Sequence, residues 1–94
     1  MQQRNIKLLS EIHRKLTLKG WEKLQSKRGE KVIEMLGRGM LVTEVNDTHI
    51  AQIVDTLEDR GFAPATVNRY MSAISKMLRY ANKRQSIYHL DRMP

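Results

Sequence analysis

Ninety-four residues, 40% hydrophobic and 29% charged with only two prolines, are enough for one small folded domain with a modest core, and they lie outside the disordered range of composition. The absence of cysteine excludes disulfide scaffolds and thiolate metal sites, and no apolar run approaches the roughly 20 residues that a bilayer span needs. Seventeen Lys and Arg against ten Asp and Glu leave a net charge of +7, which points to a polyanionic partner over a small neutral substrate.

At the start of the chain, Ile6, Leu9, Ile12 and Leu16 predict a short amphipathic helix, and Trp21, Leu24, Val32, Met35 and Leu36 predict a second. The stretch QSKRGEK, residues 25–31, carries no apolar side chain, and Gly29 lies within it, so the second helix is expected to bulge or split there. Gly37 and Gly39 stop it, and residues 40–42 with Val45 are expected to tuck against the helices as an extended connector.

Asn46 is a good N-cap for a third helix, whose buried face is Ile50, Ile53, Val54 and Leu57. Arg60 and Gly61 close it, and Phe62 is placed to fold back onto its last turn. From Glu44 to Arg60 the acids Glu44, Asp47, Asp55, Glu58 and Asp59 face a single base, so this helix should not lie along phosphates.

Pro64 suits the first turn of a fourth helix, in which Val67, Tyr70, Met71, Ile74, Leu78 and Ala81 form an apolar stripe ending near Lys83 or Arg84. Its N-cap would be Ala63, a poor capper. No strand pair is evident, and nothing divides residues 1–94, so one all-α domain is expected.

The fourth helix carries Arg69, Lys76, Arg79, Lys83 and Arg84 and no Asp or Glu. Arg69, Ser72, Lys76, Arg79 and Lys83, spaced by 3, 4, 3 and 4, form one row opposite the apolar stripe, with Thr66 in line at its start. Such a ridge fits the major groove of duplex DNA, whose phosphates accept Lys and Arg while an arginine reads a guanine edge. The competing reading is a solvated basic face. A second basic region places Lys19, Lys23 and Lys27 four residues apart, which would stack them on one helical face.

His13, His49 and His89 have no partner at ligand spacing and read as surface residues, so no metal or cofactor is expected. No phosphate loop, nucleophile elbow or carboxylate pair is present; adjacent Glu58 and Asp59 point apart on a helix, and Tyr70 and Tyr80 belong to packing. The six methionines read as core filler. The N-terminus lacks the apolar core of an export signal, so a cytoplasmic setting without membrane contact is expected.

From Leu36 to Arg84, about half the chain, the residues resemble the N-terminal core-binding, SAM-like domain of phage integrases, the tyrosine recombinases. The connector Val42 to Asn46, the turn Gly61 to Thr66, and Thr66, Asn68, Arg69, Tyr70, Met71, Ser72, Ile74, Leu78 and Ala81 carry the likeness. Ala63, Asn46 and His49 depart from it, and weaken the helix starts. The resemblance implies a bundle of about four helices in two crossed hairpins that grips double-stranded DNA. It implies that Thr66 and Arg69 touch the major groove and that Ser72 and Lys76 continue that face. It also implies a DNA-cutting catalytic domain after a tail at residues 85–94, absent from this chain, and further protomers on the DNA. A helix-turn-helix regulator and a helical protein-interaction module using Trp21 and the methionines are the alternatives.

Overall fold

A computed structural model describes the backbone of residues 8–88 and the side chains of residues 8–82. Four helices follow one another: α1 (Leu9–Leu18), α2 (Lys23–Leu36), α3 (Asp47–Asp59) and α4 (Pro64–Tyr88), with a 3₁₀ turn at Val42–Glu44. Among the described residues the only strand-like feature is an isolated bridge between Leu8 and Leu41, so the all-α bundle is the observed architecture.

α2 and α4 form the spine. One core cluster joins Val32 of α2 to Ile53 and Leu57 of α3 and to Val67, Tyr70 and Ile74 of α4. The other joins Ile33 of α2 to Leu9, Ile12 and Leu16 of α1 and to Met77 of α4. Neighbouring Val32 and Ile33 point about 100° apart on the helix and so feed different clusters. The predicted stripe on α4 faces the core, with Val67, Tyr70 and Ile74 buried and Met71, Leu78 and Ala81 packed against them in part, and Ala73 and Met77 join it as fully buried positions, because α4 packs against three helices and buries a wider face than one.

Two hairpin turns are built alike. In α3, Gly61 takes φ +87°; its N–H donates to the Glu58 carbonyl and that of Phe62 to the Leu57 carbonyl, which satisfies two orphan acceptors of the last turn. In α1, Gly20 takes φ +102°, and its N–H and that of Trp21 donate to Thr17 and Leu16 in the same pattern. Phe62 folds back as expected and its ring lies 5.8 Å from that of Tyr70.

Several expectations are corrected. α2 runs unbroken through residues 25–31, since Ser26 and Gly29 are themselves buried and let α1 approach closely. Trp21 lies in the turn ahead of α2, its ring over Gly29, and Leu24 is 59% exposed, so neither lines the apolar face of α2. The connector is not extended throughout: the Leu9 N–H donates to the Met40 carbonyl, Leu41 bridges to Leu8, and the chain then tightens into the 3₁₀ turn. α4 continues past the expected end at Lys83 or Arg84 to Tyr88, because no glycine or proline interrupts it there. His13 is no surface residue; it is half-buried, and its Nε2 donates to the Ser26 carbonyl at 2.7 Å. Ile6 and His89 lie outside the described residues.

Candidate nucleic-acid interface

Packing fixes which side of α4 faces outward. With Val67, Tyr70, Ala73, Ile74 and Met77 buried, the opposite side presents Arg69, Ser72, Lys76 and Arg79, all exposed, flanked by exposed Asn68 and Ser75. Lys83 belongs to α4, but its side chain lies outside the described residues. Thr66 is half-buried and falls off the row: at three to four residues per turn it shares the side of Tyr70 and Ala73. No carboxylate reaches the row, for among the described residues the ion pairs are those of Arg38 with Glu30 at 3.4 Å and Glu34 at 3.7 Å.

The upstream lysines divide. Lys19 is the C-cap of α1, and Gly20 breaks the chain direction after it, so it does not share a helical face with Lys23 and Lys27. Its ammonium sits 6.0 Å from the centroid of the Tyr80 ring, one turn along α4 from Lys76, so Lys19 flanks the row. Lys23 and Lys27 are exposed on α2, each about 200° around the helix from Gln25. Gln25 is the side that meets α4, since its Nε2 donates to the Arg69 carbonyl at 3.2 Å. Lys23 and Lys27 therefore face away from the α4 row.

The cation of α2 that Gln25 holds is Arg28, half-buried, whose Nη1 donates to Gln25 Oε1 at 2.7 Å. Its position three residues after Gln25 was the available signal, masked by the absence of apolar residues around it.

The acids lie elsewhere. Asp47, Asp55, Glu58 and Asp59 are exposed on α3, and an open groove lined by Met35, Leu36, His49, Ile53 and Asp55 belongs to the α2–α3 side. Glu22 is spent on the α2 N-terminus, accepting from the Leu24 and Gln25 N–H groups. No cluster of His, Asp and Glu able to hold a metal occurs among the described residues, and no described helix is long and apolar enough to cross a membrane.

Ala63, the residue ahead of α4, has no polar side chain with which to cap the first turn. An exposed, acid-free cationic row held from behind by a packed core can lie along a polyanion without desolvating buried charge. Comparison with known protein families, with characterised proteins and with solved structures finds no match to this chain.

Proposed function

We propose that this chain binds double-stranded DNA through α4, as the core-binding domain of a phage-integrase recombinase that holds attachment-site DNA for a separate catalytic domain. The observation that carries the reading is the row Arg69, Ser72, Lys76 and Arg79: one exposed side of a single helix, without an acid from Pro64 to Tyr88. On this reading the chain cuts no DNA itself, acts beside other protomers in the bacterial cytoplasm, and orients the duplex by phosphate contacts, with Arg69 near enough to the helix start to meet a base edge. The 25 residues of α4 span about 37 Å, longer than the short recognition helix of a helix-turn-helix regulator, which favours the integrase-type reading.

Binding of a labelled 20-base-pair duplex, titrated between 50 and 200 mM salt, tests it. Five phosphate contacts, from Arg69, Lys76, Arg79, Lys83 and one residue outside α4, give a slope of log K against log salt near about −4.5 and a loss of roughly 500-fold across that range. A flat titration, or affinity unchanged by Arg69→Ala with Lys76→Ala, rejects the row as the docking surface.

A further inference from the structure

We propose that Gln25 is a positioning residue that locks the Arg28 guanidinium to α4, so that Arg28 supplies the phosphate contact from outside that helix. This inference rests on the nucleic-acid reading above and names the second element of its surface.

The seam between α2 and α4 is apolar where Val32 meets Val67, Tyr70 and Ile74, but it changes character towards the start of both helices. There Gln25 stands where an apolar residue would extend the core, and its amide is used at both ends. Nε2 donates to the Arg69 carbonyl at 3.2 Å, and Oε1 accepts from Arg28 Nη1 at 2.7 Å. The order of donors and acceptors is self-consistent. Turned over, the amide would set oxygen against the Arg69 carbonyl and N–H against the guanidinium, so only one orientation is stable.

Two consequences follow for Arg28. Its side chain is half-buried and tethered, so little rotamer freedom remains to be lost when it meets a ligand. Its remaining N–H groups have no acceptor among the described residues, and a guanidinium offers five donors in a planar fork that suits phosphate oxygens. Because the tether ends on the backbone of Arg69, the Arg28 charge is held beside the first turn of the α4 row. Lys23 and Lys27, on the far side of α2, have no such link.

The test is salt-dependent binding of the same 20-base-pair duplex by the parent chain and by Arg28→Ala, Gln25→Ala, Gln25→Glu and the Gln25→Ala/Arg28→Ala pair, each checked for folding by circular dichroism. Arg28→Ala is expected to make the slope shallower by about 0.9, one contact's worth. Gln25→Ala leaves the charge in place, so the slope holds while affinity falls about 2- to 10-fold, the range for ordering one long side chain on binding. Gln25→Glu should lower the slope as Arg28→Ala does, since a carboxylate then neutralises the guanidinium. In the double variant Gln25→Ala should cost nothing further. A steep parent slope that Arg28→Ala leaves unchanged overturns this inference alone. So does a Gln25→Ala loss equally large with and without Arg28. A flat titration of the parent chain removes the nucleic-acid reading and this inference together.

Discussion

Gly29 sits in the interior of α2, where glycine costs about 1 kcal/mol relative to alanine, so its presence needs a packing cause. A Cβ built there lies 3.0 Å from Trp21 Cη2 and 3.1 Å from His13 Cδ2. Neither ring is free to retreat. The His13 ring meets Trp21 edge-on, with centroids 5.8 Å apart, and is anchored by its Nε2 on the Ser26 carbonyl. Thr17 Oγ1 donates to the His13 carbonyl, which leaves the Ser26 hydroxyl to donate to Thr17 Oγ1, so three side chains close a polar circuit between α1 and α2. Gly29→Ala should therefore destabilise by about 1 to 2 kcal/mol in spite of better helix propensity, lowering the melting temperature by roughly 4 to 16 °C for a domain of this size. In a Trp21→Ala background the same change should cost less, because one of the two rings that crowd the new methyl is gone. Equal losses in both backgrounds would assign the cost to something other than the ring. The sequence hides this arrangement, since apolar periodicity detects residues that fill space and is blind to Ser26 and Gly29, which are buried because they are small.

At the scale of elements, capping was legible where the chemistry is local. Asn46 caps α3 as expected, its Oδ1 accepting from the His49 N–H at 3.1 Å. His49, expected to weaken that helix start, instead completes the box, for its Nδ1 accepts from the Asn46 N–H at 3.3 Å as a glutamate would. Asn46→Ala should cost about 1 kcal/mol, while His49→Glu should stabilise by up to about 1 kcal/mol, since it keeps the acceptor and adds a negative charge at the helix N-terminus. Chemical denaturation of both variants checks the pair, and a loss of stability in His49→Glu would show that the imidazole serves α3 in another way. The Gly61 turn could be read from the residues because a long periodic segment ends at it. The matching Gly20 turn could not, because Leu18, at 76% exposure, and Leu24 blur the apolar pattern on both sides of it. The same blurring let Lys19, Lys23 and Lys27 pass for one row. On α4 the exposed row was legible through its spacing, but the Gln25 link to Arg69 was not, since it joins residues 44 positions apart and has no local signature.

For the whole molecule, α1 and α3 each complete one cluster of a core that α2 and α4 share. Ile53 is 2% exposed in the α3 cluster, and Ile53→Ala should cost about 2 to 4 kcal/mol, a large share of the roughly 5 to 15 kcal/mol such a domain has, as thermal melting would show. The same division sorts the charge, with the acids of α3 on one side and the cations of α4 on another, so the net charge of +7 understates the field at the row. This permits a separation of contact from field. Asp55 and Asp59 are exposed on α3 and carry no ion pair among the described residues, so Asp55→Asn with Asp59→Asn raises the net charge without adding a residue to the row. If α4 is the docked surface, the salt slope should stay at the parent value, because the number of neutralised phosphates is unchanged. Affinity should rise less than about 2-fold near 150 mM salt, where the Debye length is roughly 8 Å, and more at low salt, where the field reaches further. Arg69→Ala with Lys76→Ala should instead make the slope shallower by about 1.8, two contacts' worth. A slope that steepens when the α3 acids are neutralised would mean that α3 itself lies against the duplex, and the docking face would have to be moved from α4 to α3.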